Sequence, residues 1–304
     1  MRVAAIDCGT NAVRLLIADV EGDRLTDVRR TMEIVRLGEG VDRTGRLSPA
    51  AIERTRVALV GYAAEIKRSE AVAVRMCATS ASRDASNAQD FRDMVRGVLG
   101  VDPEVITGEE EATLSFLGAV KGLPAPGPYL VFDLGGGSTE FVTGTDTVER
   151  AISMDIGCVR MTERHLRGDP PAAEELAAAE KDVTAAVDTA LAAVAGREAC
   201  TLVGLAGTVT TVAALVHDLP EYDSDRIHHS ELSREAVTRV TGELLAMTVE
   251  QRLALPVMHP GRADVIGAGA LIMRIILERS GHDTVIASEH DILDGIAFGL
   301  AASA

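Results

Sequence analysis

The chain has 304 residues, of which 47% are apolar, enough for two domains with sizeable cores. Its formal charge is 30 − 46 = −16, which argues against non-specific nucleic-acid binding because that requires a basic face. No apolar run approaches the roughly 18 residues of a membrane span, and residues 1–7 lack a signal-peptide core, so a cytoplasmic protein with no membrane partner is expected.

Residues 2–7 read as a strand that ends in Asp7-Cys8-Gly9-Thr10-Asn11. Residues 13–20 and 24–37 read as two further strands. Ser48 followed by Pro49 is an N-cap with proline in the first turn, and predicts a helix to about Ser69. Residues 72–77 form a strand, 88–99 a helix, 104–107 a strand and 109–120 a helix, an order that implies a mixed sheet with helices. Residues 122–128 hold three prolines and two glycines and form the clearest linker. It divides a first domain, 1–124, from a second, 125–304, whose last helix either stays with it or packs back on the first.

A strand over 129–132 then delivers Asp133-Leu134-Gly135-Gly136-Gly137-Ser138-Thr139, followed by a strand over 140–143. The first half has the same plan: strand, Asp, Gly, hydroxyl residue, strand. This candidate repeat implies two similar lobes with a cleft between them, faced by Gly9-Thr10, Gly135–Ser138 and Gly207-Thr208. Further on, we expect a long helix over 171–195, a strand over 201–205, and a helix from Ala206-Gly207-Thr208 to about Leu219. Later helices are expected at 233–247, 262–279 and 291–302, with a strand at 285–288.

Glycines after a buried strand let backbone N–H groups approach an anion, or serve only a tight hairpin. Three such loops in one chain (9–11, 135–138 and 204–208) favour anion binding. Asp7, Asp133 and Glu140 beside them are either oxygen ligands for Mg²⁺ or caps of the loop amides. An acidic chain that holds a phosphate chain needs a cation at the site. Glu109-Glu110-Glu111 opens a helix, where acids complement the dipole. Arg83, after Cys77 to Ser82, and Arg160, after Ile156-Gly157-Cys158, can fork onto a phosphate or lie solvated. His228-His229 is expected in a polar surface loop. The cysteines at 8, 77, 158 and 200 have no metal or disulfide spacing.

Together, Asp7 to Asn11, Ala78 to Arg83, Gly108 to Ala112, Asp133 to Glu140 and Gly204 to Thr208 resemble the exopolyphosphatase/guanosine pentaphosphate phosphatase (Ppx/GppA) family. Asp155 to Gly157, Arg160 to Glu163 and Ser288 to Gly295 extend the resemblance over nearly the whole chain. It implies a two-lobed actin-like α/β fold and metal-dependent release of orthophosphate from the end of inorganic polyphosphate, with Mg²⁺ or Mn²⁺. Glu111 is then the general base and Arg83 a phosphate ligand, alongside Gly9, Thr10, Asn11, Gly135, Gly136, Gly137, Ser138, Gly207 and Thr208. Metal ligands fall on Asp133 and Glu140, with Asp7. Cys8 and Thr10 replace the family's common aliphatic residue and serine. The chain looks like the short form without the C-terminal helical extension, which weakens any expectation of high processivity, and a homodimer is compatible with the resemblance. Guanosine pentaphosphate is the alternative substrate. An actin-fold ATP-dependent kinase and a non-catalytic phosphate-chain sensor are the rivals from other classes, and Glu111, 22 residues before Asp133, counts against both.

Overall fold

A computed structural model describes residues 1–194 and 200–302. The chain divides into two compact units: Met1–Lys121 together with the tail from Asp291, and Gly122–His290.

The first unit comprises β1 (Arg2–Cys8), β2 (Ala12–Glu21), β3 (Arg24–Ile34), α1 (Val41–Thr44), α2 (Pro49–Arg68), β4 (Ala73–Ala78), α3 (Ser80–Asp84), α4 (Ala88–Leu99), β5 (Glu104–Val105) and α5 (Gly108–Val120). The second comprises β6 (Tyr129–Leu134), β7 (Thr139–Gly144), β8 (Val148–Met154), α6 (Cys158–His165), α7 (Ala173–Ala193), β9 (Thr201–Leu205), α8 (Ala206–Val216), α9 (Ser224–Ile227), β10 (Glu231–Ser233), α10 (Arg234–Ala246), α11 (Val249–Leu253), α12 (Ile266–Ser280) and β11 (Thr284–Ala287). The last helix, α13 (Ile292–Ala302), belongs to the first unit.

The two sheets share one plan. Strands run β3-β2-β1-β4-β5 in the first and β8-β7-β6-β9-β11-β10 in the second. In each, an antiparallel three-stranded meander is extended on its first strand's free edge by two parallel strands, and the second sheet adds β10 antiparallel to β11 at its edge. The repeat visible in two hairpins therefore extends to the whole sheet, and the fold is the actin-like α/β fold. β1 and β6 are the central strands. Val3 to Ile6 and Val131-Phe132 are fully buried, which is why both segments read as continuous apolar runs rather than alternating ones.

Local signals set the helices that matter. In α2 the Ser48 hydroxyl accepts the Ala51 N–H at 3.1 Å, Pro49 opens the first turn, and Ala51, Thr55, Leu59, Tyr62 and Ile66 form the buried stripe. In α5 a capping box closes on Thr107 and Glu110. α13 lies against α5 with no room for side chains at the crossing. A Cβ on Gly118 would collide with the Asp291 carbonyl, and one on Gly295 with the Leu114 carbonyl. None of the four cysteines forms a disulfide.

Several boundaries differ from the sequence expectation. β3 ends at Ile34, because the Val35 and Arg36 N–H groups leave the ladder and donate to the Asn11 carbonyl. The strand expected to reach Thr107 stops at Val105, since Thr107 is spent as an N-cap. The helix expected from 262 starts at Ile266, after the Pro260-Gly261 break, and runs to Ser280, where Gly281 ends it at positive φ. The helix expected from 171 begins at Ala173, and its expected last residue, Ala195, lies outside the described residues. Seven elements were not expected from the sequence: β8, β10 and the short helices α1, α3, α6, α9 and α11. β8 is a half-exposed edge strand of mixed polarity, and α6 is only eight residues long.

Candidate active site

In the first unit, the loop after β1 is held from several sides. Gly9 N–H donates to the Ala12 carbonyl at 2.9 Å, closing the turn, and Gly38 N–H donates to the Thr10 carbonyl at 2.8 Å. The Thr10 and Ser80 hydroxyls share a hydrogen bond at 2.8 Å, which ties this loop to the segment after the neighbouring strand β4. That segment carries Arg83, whose Nη1 donates to the Ile106 carbonyl at 2.9 Å and to Glu111 Oε2 at 2.8 Å.

The three consecutive glutamates have different environments. Glu109 and Glu110 are exposed, whereas Glu111 is buried at 9% exposure. Glu110 Oε2 accepts the Thr107 N–H at 2.9 Å, and these contacts with Thr107 hold its carboxyl below the ordinary value. Position in the first turn explains Glu110; the ion pair with Arg83 distinguishes Glu111.

Asp7, at the end of β1, is 4% exposed and stands opposite Arg14 of β2. Arg14 donates Nε and Nη2 to the same oxygen, Asp7 Oδ2, at 3.0 and 2.7 Å. Asp7 Oδ1 is buried without a hydrogen-bond partner. Burial pushes this carboxyl above its ordinary value despite Arg14. Arg14 Nη1 also donates to Asp291 Oδ2. At Asp291 burial acts in the same sense but is outweighed by Arg14 and Arg30, so that carboxyl is held below its ordinary value.

In the second unit, the glycine loop is gripped by its carbonyls. Cys158 N–H donates to Gly135, Val159 and Arg160 N–H to Gly136, and Arg160 Nε to Gly137, at 2.7 to 3.1 Å. The N–H groups of Gly136, Gly137 and Ser138 donate to no other group among the described residues. Consecutive uncommitted amides of this kind form an anion-binding concavity. Gly157 makes the grip possible, since a Cβ there would collide with the backbone of Gly136 and Gly137. Arg160 is thus a brace of the loop rather than a solvated side chain.

Asp133 and Glu140 are directly opposite one another across the β6–β7 ladder, both buried, and Ser153 donates to Glu140 Oε1 at 2.7 Å. Like charges facing one another in a sheet are unfavourable unless positive charge offsets them. The repeat makes the contrast sharp. Asp7 and Arg14 occupy the positions in the first hairpin that Asp133 and Glu140 occupy in the second. β9 runs beside β6 and leads into Gly207 and Thr208, whose N–H groups, at the start of α8, donate to no group among the described residues, with Ala206 at φ 72°.

Sequence reasoning missed Arg262. Its guanidinium lies directly over Gly207, and its Nη1 donates to the Gly207 carbonyl and the Thr211 hydroxyl, both at 3.3 Å. Nothing local marked it, since it lies in an irregular turn 55 residues after Gly207. His228-His229 lies in a half-buried turn, as a loop was expected there. The two ring centroids are 3.6 Å apart and tilted, the His290 ring lies 4.4 Å from that of His228, also tilted, and His229 sits at φ 63°.

No group of three or more His, Cys, Asp or Glu residues among those described is placed to hold a metal ion by itself. The donors present fit a hard cation that takes one or two carboxylates and completes its shell with water and substrate oxygens. The unpartnered Asp7 oxygen and the facing Asp133 and Glu140 are donors of that kind.

The model of the Ppx/GppA phosphatase family matches residues 16–304. The chain belongs to that family. This Ppx/GppA chain is 51% identical to Exopolyphosphatase 2 of Mycobacterium tuberculosis over 99% of its own length and 98% of the relative's. It is 30% identical to the guanosine-5′-triphosphate,3′-diphosphate pyrophosphatase of Aeromonas hydrophila, covering 98% of this chain and 59% of that protein. The crystal structure of an exopolyphosphatase-like protein matches with a TM-score of 0.95 and 42% identity, covering 100% and 99% of the two chains. An exopolyphosphatase from Cytophaga hutchinsonii matches with a TM-score of 0.92 and 27% identity, covering 100% and 98%. No helix among the described residues is long and apolar enough to cross a membrane.

Proposed function

We propose that this chain is a metal-dependent exopolyphosphatase that hydrolyses the terminal phosphate of inorganic polyphosphate and releases orthophosphate. The observation that carries the reading is Glu111: alone among three consecutive glutamates it is buried, and its carboxylate meets the arginine assigned to phosphate. The close, full-length similarity to a protein named Exopolyphosphatase 2 supports the same substrate class.

In this mechanism the terminal phosphoryl group is held by the free amides of Gly136, Gly137 and Ser138 and by Arg83. Gly9, Thr10, Asn11, Gly135, Gly207 and Thr208 complete the phosphate contacts. As Arg83 turns to the phosphoryl group, Glu111 Oε2 is released to orient a water molecule and accept its proton. Asp133 and Glu140, with Asp7, would hold Mg²⁺ or Mn²⁺, which when bound offsets the charge on the phosphoryl oxygens. Phosphoryl transfer has little covalent work for the protein, so positioning and preorganised charge supply most of the acceleration.

The similarity to a guanosine pentaphosphate-type hydrolase favours a second reading, in which the same residues remove the terminal 5′ phosphate of that nucleotide. One assay separates the readings: orthophosphate release from polyphosphates of several lengths, beside guanosine pentaphosphate and ATP. The proposal expects polyphosphate to give the highest kcat/KM. Preference for guanosine pentaphosphate would replace it with the second reading, and phosphate transfer from ATP to an acceptor would replace both with a kinase.

A further inference from the structure

The two hairpins of the repeat differ in charge at one position. Glu140 faces Asp133, but Arg14 faces Asp7. An arginine fork placed on a carboxylate commonly engages both oxygens. Here both donors go to Oδ2 at 3.0 and 2.7 Å, and Oδ1 is left buried and bare. The guanidinium is held in that off-centre position from its other side, because Nη1 donates to Asp291 Oδ2. Asp291 is itself fixed. Its Oδ1 accepts the Leu293 N–H at 3.0 Å, and its own N–H donates to Asp294 Oδ2 at 2.9 Å. Asp294 is in turn paired with Arg30 at 2.7 Å. Asp7 and Asp291 are each 4% exposed, and with Arg14 they carry one more negative than positive formal charge. A buried carboxylate oxygen with no donor, in a cluster with surplus negative charge, is the complement of a cation.

We infer that Arg14 and Asp291 are a positioning pair, which holds one oxygen of Asp7 so that the other is presented to the divalent cation of the proposed reaction. The inference rests on the reading of Asp7 as a cation ligand. It makes a residue 277 positions from Arg14, at the very start of α13, part of the cation site's support.

Binding of Mn²⁺ to the full chain, followed by electron paramagnetic resonance in saturating orthophosphate, tests this without relying on turnover. Asp291→Ser keeps a side chain that caps α13 but is too short to reach Arg14, so a purely capping role predicts unchanged affinity. The positioning role predicts an Mn²⁺ dissociation constant raised by about 10–100-fold, the usual effect of removing an outer-shell partner. Asp291→Asn keeps the size and the cap but loses the charge, and falls between Asp291→Ser and wild type. In an Asp7→Asn background Asp291→Ser should have no further effect, because there is no longer a carboxylate to position. If Asp7→Asn weakens binding and folded Asp291→Ser does not, the positioning pair is wrong and the proposed function stands. If Asp7→Asn itself binds Mn²⁺ like wild type, the cation reading of Asp7 falls and takes this inference with it. Should Asp291→Ser not fold, wild-type affinity in Asp291→Asn overturns the inference in its place.

Discussion

Arg83 Nη1 stands 2.8 Å from Glu111 Oε2 and 2.9 Å from the Ile106 carbonyl, so one nitrogen joins the residue assigned to phosphate and the residue assigned to water. The side chains are 21% and 11% exposed, which leaves the pair reachable by a small anion yet largely shielded from solvent. In the proposed mechanism, an anion that draws Arg83 away removes this contact from Glu111, which would couple substrate binding to activation of the proposed base.

Glu111→Gln keeps the shape and removes the basicity. Turnover should fall by about 10²–10⁴-fold, with polyphosphate affinity near wild type. Glu109→Gln should change neither rate nor stability appreciably, because that side chain is exposed. Glu110→Ala removes half of the capping box and should cost about 0.5–1.5 kcal/mol in a denaturant melt, with the rate preserved. Equal rate losses in all three variants would show that the Arg83 contact does not single out Glu111.

Asp133→Asn and Glu140→Gln should each raise the Mg²⁺ concentration needed for half-maximal phosphate release. Ser153→Ala removes the donor to Glu140 Oε1 and should raise it by about 10-fold or more. Metal titrations of the three variants check this, and full turnover in excess chelator would remove the cation from the mechanism altogether.

Gly157→Ala tests the grip on the glycine loop. The new methyl group would overlap the Gly136 carbonyl and the Gly137 nitrogen, which are backbone and cannot turn aside. Overpacking of this kind costs about 1–3 kcal/mol and moves the amides of Gly136 to Ser138. We expect a lower melting temperature and a loss of phosphate release at any Mg²⁺ concentration. A variant with wild-type kinetics would mean that the loop amides do not position the substrate.

Glu175 sets an acid-sensitive contribution to stability. Its carboxylate accepts the N–H groups of Arg167, Gly168 and Ala172, and these bonds, the one from Ala172 foremost, hold its pKa below the ordinary 4.5. A lowered carboxyl stabilises the fold above its unfolded value, and that stability is lost as pH falls through the lower folded value. Melting temperatures measured from neutrality to about pH 2 should therefore fall less steeply below 4.5 in Glu175→Gln than in wild type. Parallel curves would show that the three amides do not perturb the group.

What the sequence determined by itself was local. Glycine turns after apolar strands, the Ser48-Pro49 start and the Pro-rich linker each act through dihedral preferences and hydrogen bonds within a few residues. They are therefore legible in the order of residues alone, as are the glycine loops proposed to bind phosphate. Only the tertiary structure decided which of three adjacent glutamates is buried, because that depends on Arg83, 28 positions earlier. The same holds for the capture of Arg14 by Asp291, 277 positions away, and for Arg262 over Gly207. The last helix shows why. The sequence predicted a helix over 291–302, but Gly118 and Gly295 let α13 press against α5, the helix that carries Glu111. Such close approach depends on what faces each glycine across the crossing, and no periodicity along the chain records that.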